Sequence, residues 1–274
     1  SDSTARIYQV NSGKVIQLLS GHKSVLRKAV FSPDGKLVLT TSRENTAHIF
    51  GVSTGSEPQV LRGHTEDIWS AVFSLDGKLV LTSSFDCTSR IFEVSTCKEL
   101  QKFGGRTIRV NSAEFSSDGN MVLTASDENT TQIFELFSGR EYKIFSGHTE
   151  FVKSADFSPD GKLVVTSSAD NTARIYEVIS GKELQLLSGH IGIVNSAVFS
   201  PDGKLVVTAS DDKTAHIYEV NDGNRLQLLS GHTGIVKSAF FSPDGKLVIT
   251  VSHDDGWQDN TARIYEVNSG KELQ

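Results

Sequence analysis

Apolar and polar residues alternate with a period of two along most of the chain, in short runs broken by turn-forming clusters. From Val194 to Phe199, Val194, Ser196 and Val198 alternate with Asn195, Ala197 and Phe199, the pattern of a half-buried β-strand. Ser200-Pro201-Asp202-Gly203 follows, with Pro second and Gly fourth as a type I turn prefers. Lys204 to Ser210, rich in Val and Thr, reads as a second strand, and Asp212-Lys213-Thr214 as the next turn. Ala215 to Val220 is a third strand, and Asn221 to Asn224 turns into a fourth, Leu226 to Ser230. No helical period occurs anywhere. The unit is a four-stranded antiparallel meander.

That unit recurs every 42 residues. A run of Gly-His, V-x-S-A-x-F, SPDGKLV-x-T and TARIYEV is nearly unchanged over His148 to Val178, His190 to Val220 and His232 to Val267. His22, His64, His148, His190 and His232 share one register, and Arg106 fills the remaining place. A period near 40 to 45 residues marks a repeat architecture. A small sheet alone leaves an apolar face uncovered, so the copies must stack face to face. The expected fold is all-β, a propeller of four-stranded blades.

The count of strands is uneven. TARIYQVNSGKVIQ at 4–17 duplicates TARIYEVNSGKELQ at 261–274, so the chain opens on a third and fourth strand without their own first and second. A seven-position ring with an N-terminal half-blade is the favoured arrangement. The alternative is a closed six-blade ring, in which Val15 to Ser20 closes the last blade and Thr4 to Val10 is expelled or competes with Thr261 to Val267. Either reading treats 1–274 as one propeller domain, excised from a longer chain. An unpaired edge strand invites pairing with another chain, which predicts homo-oligomers through strand exchange.

These residues resemble the WD-repeat β-propeller family, in its bacterial form with near-identical repeats. The family's Trp-Asp pair is replaced: the Trp position reads Tyr8, Phe50, Phe92, Phe134, Tyr176, Tyr218 and Tyr265, followed by Glu, Gly or Gln. The resemblance implies a hydrogen-bonded set in each copy: His64, Thr82 and Asp86 beside Phe92; His148, Thr166, Asp170 and Tyr176; His190, Thr208, Asp212 and Tyr218; His232, Thr250, Asp259 and Tyr265. Hydroxyl, imidazole and carboxylate together imitate a hydrolase triad. A nucleophile site is singular, however, and this set repeats once per blade, so it reads as structural. Losing one member leaves a buried polar partner unsatisfied, at about 1–3 kcal/mol. Glu44 and Glu128 in the Asp place, and Arg106 in the His place, read as tolerated decay.

Composition narrows the partners. With 274 residues, 37% hydrophobic and 22% charged, the chain can bury a substantial core, and its net charge is −6. Basic residues form no stripe that could follow a phosphate backbone, so nucleic acid is excluded. No apolar run approaches the ~20 residues of a membrane span, and the first residues lack a secretory h-region. Cys87 and Cys97 flank a strand, Ser89 to Val94, that holds them roughly 20 Å apart. That exceeds the ~7 Å reach of a disulfide, and two free thiols suit the reducing cytoplasm.

Comparison of the copies with one another exposes three variable columns. One reads Val25, Asp67, Arg109, Phe151, Ile193 and Ile235; another Arg27, Trp69, Asn111, Lys153, Asn195 and Lys237; the third Arg43, Phe85, Asp127, Ala169 and Asp211. By resemblance, they lie on the rim and channel mouth of one face. Trp69, Phe85 and Phe151, flanked by Arg27, Arg43 and Arg109, have the composition of a binding hot spot. The insertion from His253 to Asn260 carries Asp254, Asp255, Gln258 and Asp259, but not the spacing of a calcium loop. Its Trp257 would join the same face.

The sequence thus reads as a non-catalytic protein-interaction scaffold or sensor that takes a protein or peptide, without cofactor or metal. One alternative is a channel that binds or transforms a small anion through Lys153, Lys237, Asn111, Asn195 and Arg27, betrayed by one strongly perturbed carboxylate or His. The other is a structural unit that self-assembles by strand exchange.

Overall fold

The period-two runs fold as β-strands, and no helix occurs among the described residues. The computed structural model describes residues 3–53, 58–104, 109–253 and 259–274. β1 (Ala5–Tyr8) and β2 (Val15–Leu19) form a two-stranded sheet. Three antiparallel four-stranded sheets follow: β3 (Leu26–Phe31), β4 (Leu37–Ser42), β5 (Ala47–Gly51) and β6 (Gln59–Leu61); β7 (Ile68–Phe73), β8 (Leu79–Ser84), β9 (Thr88–Glu93) and β10 (Glu99–Gly104); β11 (Val110–Phe115), β12 (Met121–Ser126), β13 (Thr131–Glu135) and β14 (Glu141–Phe145). Two more are β15 (Val152–Phe157), β16 (Leu163–Ser168), β17 (Ala173–Glu177) and β18 (Glu183–Leu187), and β19 (Val194–Phe199), β20 (Leu205–Ser210), β21 (Ala215–Glu219) and β22 (Arg225–Leu229). The last sheet has three strands, β23 (Val236–Phe241), β24 (Leu247–Ser252) and β25 (Ala262–Glu266). The expected strand limits are met within one residue.

Turn chemistry explains the limits. Gly203 N–H donates to Ser200 O at 2.8 Å, closing the type I turn, and Gly203 takes φ 71°, which a side chain disfavours. Ser200 Oγ donates to Asp202 Oδ1 at 2.7 Å and accepts the Leu205 N–H at 2.9 Å. The same Ser–Asp clasp recurs at Ser32, Ser74, Ser116, Ser158 and Ser242. Each inner hairpin therefore carries its own register lock.

Two compact units divide the chain: 1–115 with 134–140, and 116–133 with 141–274. Within the second, Val165, Ala173, Ile175 and Leu187 of one sheet pack on Ala197, Phe199, Val206 and Tyr218 of the next. Val207, Ala209, Ala215, Ile217 and Leu229 pack in the same way on Val236, Ala239, Val248 and Tyr265. Within the first, Leu39, Ala47, Ile49 and Leu61 meet Ile68, Ala71, Val80 and Phe92. Burying such a side chain fully is worth about 1.5–3 kcal/mol, so stacking of faces is the main source of stability. Four-stranded antiparallel sheets stacked face to face are the blades of a β-propeller.

The end sheets differ from the rest. β1 and β2 pair with each other, as a half-blade would. Beside β25, Tyr265 bridges Glu272, and Ile264 exchanges backbone hydrogen bonds with Leu273 and Gln274 at 2.8 Å.

Candidate functional site

Two constellations carry polar chemistry. The first is the repeated histidine set. His64 Nδ1 lies 2.8 Å from Asp86 Oδ2 and Nε2 lies 2.7 Å from Thr82 Oγ1. His148 joins Asp170 and Thr166 at 2.8 Å each, His190 joins Asp212 at 2.7 Å and Thr208 at 2.8 Å, and His232 joins Asp259 at 2.9 Å and Thr250 at 2.8 Å. The carboxylate also takes backbone N–H groups: Thr149 N donates to Asp170 at 3.1 Å and Thr172 N at 3.0 Å. One side chain thus ties the loop before the first strand to the turn before the third.

Electrostatics fit a neutral imidazole. Burial lowers the pKa of His64, His148 and His190 below the ordinary value, outweighing the adjoining carboxylates. Asp86, Asp170 and Asp212 are held below the usual range despite burial, because threonine hydroxyl and histidine N–H groups donate to them. A neutral ring donates from Nδ1 to the carboxylate and accepts the threonine O–H at Nε2. This is the proton arrangement of a hydrolase triad, but Thr82, Thr166, Thr208 and Thr250 are 0% exposed. No substrate carbonyl reaches them.

Three details go beyond the sequence reading. Glu44 is not decay: its longer side chain still reaches His22 Nδ1, while His22 Nε2 lies 2.7 Å from Thr40 Oγ1. The tyrosines stand beside Thr166, Thr208 and Thr250 as expected, and Tyr176, Tyr218 and Tyr265 also donate to the carbonyls of Ser146, Ser188 and Ser230 at 3.2, 3.0 and 3.0 Å. In two copies a second histidine joins, giving His22–Glu44–His48 and His190–Asp212–His216 with ligand atoms close enough for a metal. The rings of His190 and His216 are stacked 3.7 Å apart, and both nitrogens of His190 already have partners. Parallel rings aim their lone pairs side by side instead of at one point, so these sets do not fit a cation. Arg106 lies outside the described residues.

The second constellation lies in the first unit. In every inner hairpin with a described register, the first strand carries a shift between its first and third residues: Leu26/Lys28, Ile68/Ser70, Val152/Ser154, Val194/Ser196 and Val236/Ser238. The skipped residues are Arg27, Trp69, Lys153, Asn195 and Lys237, the variable column seen in the sequence. A bulge leaves one residue outside the ladder and re-aims its side chain, which is why this column is free to vary.

Here the bulge residues of two adjoining sheets meet. The Arg27 guanidinium sits 4.2 Å from the Trp69 ring centre, and Trp69 stacks on Phe85 with centroids 5.1 Å apart and planes at 24°. Arg109 covers the Phe85 ring at 4.5 Å. Arg27 also reaches Asp67 Oδ2 at 3.4 Å. Burial lowers the Arg27 pKa, with exposed Arg43 acting in the same sense and Asp67 opposing. Cation–π contacts of this kind are worth about 0.5–2 kcal/mol, so the four side chains form a preassembled stack. Trp69 remains 40% exposed.

Of the other expected residues, Phe151 is 45% exposed and belongs to the second unit. Trp257, with Asp254, Asp255 and Gln258, lies outside the described residues. Two of the residues expected around the channel are engaged locally: Asn195 Nδ2 donates to Asp211 Oδ1 at 2.7 Å and Val236 O at 3.0 Å, and Lys237 lies 3.5 Å from Asp211. Burial raises the Glu114 pKa against an opposing Lys28, which donates to Ser70 Oγ at 3.2 Å. No nucleophile paired to a base accompanies Glu114 among the described residues. Cys87 and Cys97 are free thiols.

A search of curated proteins gives no match. The WD domain, G-beta repeat family matches six times, at 13–50, 55–93, 97–135, 139–177, 181–219 and 223–266. Each match ends at or just beyond the tyrosine or phenylalanine that closes a third strand, and most of the chain is covered. With stacked four-stranded blades and a His–Thr–carboxylate set in register, the chain belongs to the WD-repeat family.

Proposed function

We propose that this chain is a non-catalytic interaction module whose Arg27–Trp69–Phe85–Arg109 face binds an acidic segment of another protein. WD repeats commonly serve as protein-interaction scaffolds, and the buried threonines leave the triad-like sets without a catalytic opening. The stack carries the reading. It presents a part-exposed Trp69 already held in place between Arg27 and Phe85, so a partner is bound without first ordering it. Arg27, Arg43 and Arg109 against a single Asp67 leave the patch cationic on a chain of net charge −6, which steers a negative partner there. A reducing, cytoplasmic setting accords with two free thiols.

The test is an array of extended peptides that vary in net charge and aromatic content, probed with labelled protein. Acidic peptides should bind, and binding should weaken as salt screens the arginines. Equal binding to acidic and basic peptides would contradict the reading.

A further inference from the structure

Two arginines flank the Trp69–Phe85 pair, and their surroundings differ. The Arg27 guanidinium lies 4.2 Å from the Trp69 ring centre and 5.5 Å from that of Phe85, and its side chain is only 17% exposed. Its Nη2 stands 3.4 Å from Asp67 Oδ2, and its Nε is buried, out of reach of an incoming oxygen. Arg109 lies 4.5 Å over the Phe85 ring, is exposed, and makes no ion pair among the described residues. A guanidinium laid on a ring keeps its N–H donors in its own plane, so stacking leaves the fork that grips a carboxylate unoccupied. That fork is open on Arg109 and closed on Arg27.

Asp67 closes it, and the fold holds Asp67 in place. Its carbonyl accepts the Ser84 hydroxyl at 2.9 Å and the Phe85 N–H at 3.0 Å, so the residue is tied to the strand end that carries Phe85. An anion approaching Arg27 therefore meets a carboxylate already within ion-pair distance of that guanidinium, and like charges repel. Asp67 and Arg109 occupy the same repeat position in successive copies, three residues after the histidine register. The rim of this face thus reverses charge from one copy to the next.

We infer that Arg109 reads the acidic side chain of the bound segment, that Arg27 is a positioning residue for Trp69, and that Asp67 is a built-in competitor that keeps Arg27 from taking an anion. This rests on the docking reading above and divides its labour among three residues. Arg109 supplies the charge-assisted hydrogen bonds that tell a carboxylate from its amide. Arg27 and Asp67 together are neutral, so they hold the indole without attracting charge to it. The segment is thereby registered, with its acid at the Phe85 end of the stack and not at the Trp69 end.

The probes are a labelled octapeptide of alternating Glu and Tyr and its twin with Gln for every Glu, titrated into the full chain by fluorescence anisotropy. The quantity read is the ratio of their affinities. In the parent, the acidic peptide should bind more tightly by roughly tenfold or more, the worth of a hydrogen-bonded charge pair. Arg109→Gln should bring the ratio close to one, whereas Arg43→Gln, which removes the same charge from another exposed arginine, should keep most of it. The charge-neutral double variant Arg27→Gln/Asp67→Asn should weaken both peptides alike and preserve the ratio. Asp67→Asn alone frees Arg27 and should raise the ratio several-fold, well beyond Glu66→Gln, an exposed neighbour of equal charge. Circular dichroism checks that each variant is folded. A ratio that survives Arg109→Gln, that falls equally in Arg43→Gln, that collapses in the double variant, or that responds to Asp67→Asn no more than to Glu66→Gln would overturn this division while acidic binding stands. Equal affinity of the parent for both peptides would overturn the docking reading itself, and the division with it.

Discussion

The ring of His216 lies on that of His190, with centroids 3.7 Å apart and planes 8° from parallel. In sister blades the His216 place holds Arg90, Arg174 or Arg263, each paired to a glutamate nine residues on, at 2.6, 2.6 and 2.7 Å. Where the arginine has become His216, the glutamate has become Arg225. The chain thus records a charge exchange: an unpaired carboxylate beside a neutral imidazole is replaced by a cation.

The exchange can be reversed. His216→Arg alone sets a guanidinium beside Arg225 and should lower the unfolding midpoint. Adding Arg225→Glu rebuilds the Arg174–Glu183 pair and should recover the loss, with a coupling of about 1 kcal/mol. Additive effects in chemical denaturation would show that the two positions do not interact.

His48 offers a gain. It stacks on His22 at 3.9 Å as His216 does on His190, but Phe50 stands in the Tyr218 place. Tyr218 Oη lies 2.9 Å from His216 Nδ1, whereas His48 Nδ1 is buried without a hydrogen-bond partner. Phe50→Tyr should stabilise the fold by about 1 kcal/mol. A fall in the thermal midpoint would mean that the phenyl pocket has no room for the hydroxyl.

Acid should unfold the protein earlier than its carboxylates alone require. Burial, followed by repulsion from the adjoining histidine, pulls His48 down to about 4 and His216 down to about 3, from an ordinary 6.5. Between those values the unfolded chain holds more protons than the folded one, so stability is present above pH 6.5 and drains away as pH falls toward 3. The depressed Asp86, Asp170 and Asp212 add a further loss below about pH 4, once the unfolded carboxylates protonate. Melting scans from pH 8 to 4 should show a plateau and then a decline, shallower in His216→Gln. A flat profile down to pH 4 would contradict neutral burial of these rings.

Asp170 separates the structural reading of the histidine sets from the catalytic one. It accepts from His148, from the Thr172 hydroxyl and from two backbone N–H groups. Asp170→Ala strands these donors and should cost about 1–3 kcal/mol, with hydrogen exchange accelerated at Thr149 and Thr172. Esterase activity in the parent chain that vanishes in the variant would overturn the structural reading.

Much of this was legible in the sequence. The 42-residue period, the Ser–Pro–Asp–Gly turns and the period-two runs specify strands such as Val194–Phe199 to the residue, because local chemistry and global stacking agree there. The variable column containing Trp69 was visible, but its cause was not: a bulge between Ile68 and Ser70 is a property of pairing with β8, and nothing in I-W-S announces it. Glu44 misled because sequence comparison scores identity, whereas a hydrogen bond needs only reach. The Arg109–Phe85 contact joins residues distant in the chain and belongs to packing alone.

The central claim is that the Arg27–Trp69–Phe85–Arg109 stack is a docking face. The most direct test is affinity capture from the source lysate with three folded proteins: the parent chain, a Trp69→Ser/Phe85→Ser variant, and Leu75→Ser, which alters another exposed apolar side chain. The account predicts partners held by the parent and by Leu75→Ser and lost by the double variant. The same partners on all three proteins, or none on any, would contradict it.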